Sequence, residues 1–378
     1  MEKKKHTYFE NLDATRFLGF MQVFLAHCFF TGNAEIESSS LFSFATVDLR
    51  AGYLGLDYFF VLSSFLLTWL ALEERKKTGS FHPGLFLVRR GLRLWPLYFF
   101  LVLATYGLVE IISSSIPVSE LPPIEIFLLF YSNIWISLHG QNFLFLLVFF
   151  WSIAAEEQFY LFWAFVLKFL NKYLKLVLFT MILISLAFRT YYVNNEPFLF
   201  FNTLSYFGNF AFGGLAAVLA FEDHSIVKYI RRMPKKYIAL IYLLWTVLLT
   251  GYFSWFMSPF MVVIEKTIFN LFFIFAILEQ CFAENSVFKL GKFKKMSYLG
   301  QLSLGLYCFH GVILTVAMKV IGNSSFSDSY WEVFLINPLA ILTITIIISV
   351  ISYELFEKRI HHLRRFFYPK TASKTSGV

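Results

Sequence analysis

The sequence predicts an all-α fold: a polytopic transmembrane helical bundle of about ten spans, with both termini cytoplasmic and one short re-entrant or interfacial helix. Composition is the first reason. Of 378 residues, 58% are hydrophobic and only 15% charged, and apolar stretches near twenty residues recur along the chain, the length a helix needs to cross a hydrocarbon core about 30 Å thick. The second reason is the distribution of basic residues. All but five of the 32 Lys and Arg, the exceptions being Arg16, Arg50, Arg189, Lys266 and Lys319, fall on one side of the proposed spans or at its boundary, as the positive-inside rule requires. Third, the segments between spans are short, which predicts one integral-membrane domain over 1–378, with a spanning core at about 12–360 and a basic cytoplasmic tail at 361–378.

Taken in order, the spans are 14–31, 52–71, 93–112, 149–168, 174–192, 203–221, 237–256, 259–280, 298–319 and 332–353. Basic clusters at Lys3 to Lys5, Arg75 to Lys77, Arg89 to Arg93, Lys172 and Lys175, Lys228 to Lys236, Lys289 to Lys295 and beyond Lys358 then share the cytoplasmic side. Segment 124–138, IEIFLLFYSNIWISL, is apolar but too short to span. A crossing there would turn every later basic patch outward, so it reads as re-entrant or interfacial on the outer side. Its Tyr131 and Trp135 suit either an interfacial aromatic belt or stacking on sugar rings. The N-terminus imitates a lipoprotein signal, with EKKK before an apolar run ending LAHC. His27 in front of Cys28 conflicts with the small residues that cleavage requires, so the segment is read as the first span.

The net charge of +8 follows from this topology and gives no reason to expect a nucleic-acid partner. Cys28, Cys281 and Cys308 lie in or beside apolar segments with neither disulfide nor metal-ligand spacing, and no metal site is expected.

Ionisable groups inside spans carry the functional signal, because each costs on the order of 2.5–3.5 kcal/mol on insertion scales and so tends to face a polar cavity. In TRFLGFMQVFLAHC, Arg16 and His27 are eleven residues apart; on a continuous helix they share a face about 16 Å apart. Asp13 sits one turn before Arg16, at pairing distance. Asp57 lies in the outer third of the second span. WSIAAEEQFYLFW carries Glu156 and Glu157, which project in different directions, so one at most faces a given partner. SLGLYCFH places Ser303, Tyr307 and His310 on one face, with His310 near the depth of His27. A shared chamber is expected; interhelical hydrogen bonding is the plainer alternative for each motif alone. FLVRRGLRLWPLYFF sets Arg89, Arg90 and Arg93 at the expected start of a helix, where guanidinium groups and a helix N-terminus both favour phosphate. Topology or lipid headgroups explain such residues as well.

In this order, LDATRFLGFMQVFLAH, GLDYFFVLSSFLLT, FLVRRGLRLWPLY, WSIAAEEQFYLFW, SLGLYCFH and YELFEKRI resemble the acyltransferase-3 family of bacterial membrane acyltransferases, from Leu12 to about Ile360. The resemblance implies a ten-span domain of the inner membrane that takes an acyl group, most simply acetyl, from cytosolic acyl-CoA and passes it to a surface carbohydrate such as lipopolysaccharide O-antigen or exopolysaccharide. It also implies that Arg16 and His27 are catalytic and that Arg90 and Arg93 bind the donor. Two departures stand out: Ser64 where the family commonly has glycine after serine, and ATRF after Asp13 in place of a pattern resembling LRG. Some members append a soluble esterase-like domain, and none is expected here after Tyr368.

On this reading a thioester held at Arg90 and Arg93 extends its pantetheine arm along one continuous passage to His27. His27 then serves as general base on a sugar hydroxyl or as a nucleophile forming an acyl-imidazole, either of which suits imidazole near neutral pH. Asp13 orients Arg16, while Tyr307 and His310 are candidates to donate to the oxyanion. A transporter relaying protons or anions through Asp57, Glu156, Lys266 and His310 is the main rival, weakened by the lack of an internal repeat.

Overall fold

The computed structural model describes residues 8–46, 52–111, 121–141, 145–250, 252–321 and 328–369, and every regular element among them is helical. Lys3 to Lys5, Arg50 and the end of the tail lie outside the described residues. Each predicted span overlaps a helix. They are α1 (Glu10–Leu25), α2 (Leu54–Thr78), α3 (Pro83–Ile111), α4 (Trp151–Phe169), α5 (Leu174–Tyr191), α6 (Phe207–Phe221), α7 (Lys235–Thr250), α8 (Pro259–Phe282), α9 (Ser303–Ile321) and α10 (Asn337–Ser352).

Eight of them, with flanking turns, are long and apolar enough to cross a membrane; α7 makes a ninth only if joined to the helix Ser225–Arg232, from which it is bent by 100°. The remaining one, α1, has 16 residues, about 24 Å at 1.5 Å each, and so falls short of a full crossing. The expected helix 14–31 is therefore corrected. It ends at Leu25 because the His27 ring captures the Val23 carbonyl through Nδ1 at 2.7 Å. The His27 backbone N–H turns instead to Phe24 O at 3.0 Å, a side chain competing with the helical ladder.

The start expected for α3 is corrected as well. Pro83 opens the helix, since its fixed φ suits the first position, and the three arginines lie two to three turns inside. The 124–138 segment splits into Glu125–Leu128 and Ser132–His139, separated by Phe130 with φ of 52°. Neither piece is long enough to span. The second is anchored by buried Asn133, which donates to Thr203 Oγ1 at 2.8 Å and accepts from Gln158 at 2.8 Å.

Local chemistry explains several ends. α2 closes on Gly79 in the left-handed region, φ 80°, with Arg75, Lys76 and Lys77 in its last turn, the arrangement that favours the negative end of a helix dipole. α8 opens on Ser258, whose Oγ accepts from Met261 N at 3.3 Å, followed by Pro259. Small residues bring helices into close contact: a Cβ on Gly213 would lie 2.0 Å from Val61 O, and α6 thereby packs onto α2. Ser64 faces the same seam at ordinary contact distance, 3.4 Å from where a Cβ on Gly214 would lie.

The core is aromatic. Phe159 stacks on Phe210 with centroids 3.9 Å apart, and fully buried Trp163 donates Nε1–H to Thr68 Oγ1 at 2.9 Å. Two buried ion pairs tie α2, α5, α6 and α8 together. Lys266 Nζ lies 2.8 and 3.0 Å from the Asp57 oxygens, and Asn209 donates to the same carboxylate. Arg189 lies 2.7 Å from Glu265 and also bonds Ser205. Such pairs set register between helices at a desolvation cost that mutual attraction offsets.

Candidate active site

A cavity of about 100 Å³ lies between α1, α2, α3, α4 and α9. Arg16 reaches it from α1, Arg90 and Arg93 from α3, Ser63 from α2, Ser152, Glu156 and Tyr160 from α4, and Ser303 and Tyr307 from α9. Helix periodicity produces this convergence. Ser152, Glu156 and Tyr160 recur every four residues and Ser303 and Tyr307 likewise, so each set lines one face. Three guanidinium groups beside one carboxylate in a low-dielectric bundle make the space attractive to anions. The volume admits a narrow chain or a few waters rather than a bulky group.

The ion pairs around it are specific. Arg16 donates to Asp13 Oδ1, while Tyr8 donates to Asp13 Oδ2 and Gln301 donates to the same oxygen at 3.3 Å. Asp13 is 2% exposed and so holds Arg16 against the cavity wall. The Tyr8 hydroxyl, ahead of α1, has its pKa pushed up to about 12, first by burial and then by its bond to Asp13. Tyr160 donates to Glu156 at 3.0 Å and shares a 2.8 Å bond with Ser63. Arg90 Nε is buried with no hydrogen-bond partner among the described residues.

Arg89, expected to share donor binding, points elsewhere. It donates to Glu74 at 2.8 Å and to Phe367 O at 2.7 Å, and the same buried Glu74 accepts from the His82 backbone at 2.9 Å. This contact closes the α2–α3 loop and belongs to the fold. Asp57 also stands apart from the cavity, engaged by Lys266. Glu157 turns away from it: it is 4% exposed, and its Oε1 has no hydrogen-bond partner among the described residues. Of the paired glutamates, only Glu156 lines the cavity.

His27 and His310 come together, with ring centroids 6.1 Å apart. Each Nδ1 faces a backbone carbonyl, Val23 O for His27 and Tyr307 O for His310. A carbonyl can only accept, so each Nδ1 donates, and each neutral ring carries its lone pair on Nε2. His310 Nε2 is fully buried with no partner among the described residues. A neutral His310 is therefore an acceptor at Nε2, and the donating role expected for it requires a proton. Tyr307 gives its own proton to Phe149 O at 3.0 Å and pairs with Ser152 at 2.8 Å.

Neither histidine lines the arginine cavity, which stops at Tyr307 and Ser152. The single continuous passage expected from the sequence is thus interrupted. The ring of Phe149 bridges the gap, with centroids 6.3 Å from Tyr307, 5.1 Å from His27 and 4.6 Å from His310. Sequence reasoning missed Phe149, one of 50 phenylalanines with no polar neighbour to single it out. It also missed Tyr160, for which the spacing from Glu156 was an available signal.

Among comparisons with known proteins, the acyltransferase-3 family model, described as an acyltransferase domain, matches residues 9–354. The peptidoglycan O-acetyltransferase OatA of Listeria monocytogenes is 26% identical over 333 residues, covering 82% of this chain and 51% of that protein. The O-acetyltransferase OatA of Staphylococcus aureus is 34% identical over 128 residues, 32% of this chain and 21% of that protein. The chain thus spans about half the length, or less, of these relatives. No solved structure matches. A family match across most of the chain, over the helices that build the arginine cavity and the histidine pair, places this multi-pass membrane protein in the acyltransferase-3 family.

Proposed function

We propose that the protein is an O-acyltransferase of the bacterial inner membrane that moves an acyl group, most simply acetyl, from cytosolic acyl-CoA to a hydroxyl of a cell-surface carbohydrate. The convergence of Arg16, Arg90 and Arg93 on one cavity between five helices carries this reading. Pyrophosphate and 3′-phosphate groups are the anions a coenzyme thioester brings, and Arg90 and Arg93 are suited to bind them. The slim pantetheine arm suits a cavity of this size, with Ser63, Ser152, Tyr160 and Ser303 offering hydroxyls along its walls.

His27 acts at the far end. With Nδ1 donating to Val23 O, Nε2 accepts the proton of the sugar hydroxyl as its oxygen attacks the thioester carbonyl carbon. The C–S bond breaks, the C–O bond forms, and the proton passes from Nε2 to the departing thiolate, leaving an ester and free CoA. Arg16, held by Asp13, adds its positive charge to the cavity that receives the anionic donor, at the end away from His27. One relative is named a peptidoglycan O-acetyltransferase, which adds peptidoglycan as an acceptor class to the lipopolysaccharide and exopolysaccharide that the resemblance implies.

Purified protein reconstituted in liposomes, supplied with acyl-labelled acetyl-CoA and surface glycan, tests the reading. Label recovered in ester linkage on the glycan supports it. Movement of an unmodified solute across the bilayer, with no label on glycan, makes the protein a transporter instead.

A further inference from the structure

We propose that Phe149 determines which acyl groups the protein transfers: its ring is the partition between the arginine cavity and the histidine pair, and only a small acyl group passes it. This rests on the acyltransferase reading above.

Backbone and ring of Phe149 are held by different things. Phe149 lies in the break between the helical turn Phe145–Val148 and α4. Its carbonyl accepts from Tyr307 Oη at 3.0 Å, and Tyr307 in turn accepts from Ser152 Oγ at 2.8 Å, both hydroxyls belonging to residues of the cavity lining. Those bonds pin the backbone. The ring rests on Gly311 of α9, where a Cβ would lie 2.5 Å from the ring edge, so only a residue without a side chain leaves room for the ring there. Around it stand Phe145 at 4.8 Å, His310 at 4.6 Å and His27 at 5.1 Å, all edge-on. Edge contacts of this kind fix position without hydrogen bonds, which lets the ring turn about its own side-chain bonds while the backbone stays in place.

The acyl group is the leading end of the thioester arm. With the coenzyme phosphates at Arg90 and Arg93, the arm runs past Ser303 toward Tyr307 and Ser152, and the acyl carbon meets the Phe149 ring before it meets His27. The ring must yield for the carbonyl to reach Nε2. The space it vacates is flanked by Phe145, Tyr307 and His310, and every added methylene has to be fitted against those aromatic walls. Discrimination against one extra methylene in such a pocket is about ten-fold or more.

Acyl-chain profiles test this. Full-length native protein, Phe149→Leu and Phe149→Ala are compared in liposomes with acetyl-, propionyl-, butyryl- and hexanoyl-CoA, each checked for folding by its thermal unfolding midpoint. Native protein should lose about ten-fold in kcat/KM per added methylene; the slope should flatten in Phe149→Leu and flatten further in Phe149→Ala, with the KM for acetyl-CoA little changed. Gly311→Ala, which drives a Cβ into the ring, should depress acetyl transfer with donor binding retained. The same steep slope in every folded variant overturns the proposal. A native protein that transfers no acyl group from any of these donors overturns the underlying function instead.

Discussion

His27 and His310, on different segments of the chain, hold their rings 6.1 Å apart, and each donates Nδ1–H to a backbone carbonyl. The arrangement fixes both tautomers and leaves His310 with a buried acceptor that nothing described satisfies. On the proposed function, a second hydroxyl of the acceptor sugar, beside the one whose proton passes to His27, supplies the missing donor. His310→Phe, which keeps the aromatic packing and removes the nitrogen, should lower kcat about ten-fold, the value of one hydrogen bond to a buried acceptor, with the KM for acetyl-CoA unchanged. Steady-state kinetics on glycan acceptor check it; a change confined to donor KM speaks against a role on the acceptor side.

The three basic residues of α3 should separate into two classes. Arg90→Gln and Arg93→Gln each remove a charge-assisted contact of about 1.5–3 kcal/mol and should raise the KM for acetyl-CoA about ten- to hundred-fold. Arg89→Gln leaves Glu74 buried without its cation and should cost about 3 kcal/mol of stability, with donor KM near native in the fraction that folds. Thermal unfolding in detergent beside donor kinetics distinguishes the outcomes.

Asp57 and Lys266 should behave as a structural pair. Asp57→Asn or Lys266→Met alone strands one buried charge and should lower stability by about 3 kcal/mol, while the double variant should recover most of that loss. A double-mutant cycle on unfolding midpoints measures the coupling. Additive losses would show that the 2.8 Å contact contributes little.

Tyr8 provides a pH signature ahead of α1. Its folded pKa is raised from 10.0 to about 12, so the stability it adds is fully present below pH 10 and is lost as pH climbs toward 12. The native protein minus Tyr8→Phe difference in near-ultraviolet absorbance should therefore show this phenol ionising well above pH 10. Ionisation near 10 would mean that neither burial nor the contact with Asp13 holds it.

Much of this site is legible from sequence because a charged or polar residue in an apolar run is conspicuous. Arg16, Arg90, Arg93, Glu156, Ser303 and Tyr307 all announce themselves that way, and the structure brings them to one cavity. Partners are not legible. Nothing in the sequence pairs Asp57 with Lys266, Arg89 with Glu74, or Tyr8 with Asp13, since those contacts depend on tertiary placement. Helix ends were hidden where a side chain overrides hydropathy: the apolar run continues past Leu25, yet the His27 ring takes the Val23 carbonyl and stops α1. The helix expected to start at Arg89 to Arg93 instead begins at Pro83. Phe149 was invisible for the opposite reason, an apolar residue among apolar residues whose importance lies in where it sits.

One measurement bears most directly on the account: single-turnover transfer of labelled acetyl from bound acetyl-CoA to glycan, comparing native protein with His27→Ala in the same liposomes. Loss of a positioned general base predicts a rate lower by about 10²- to 10⁴-fold, with acetyl-CoA still bound at the arginine cavity. Transfer by His27→Ala at the native rate would contradict it.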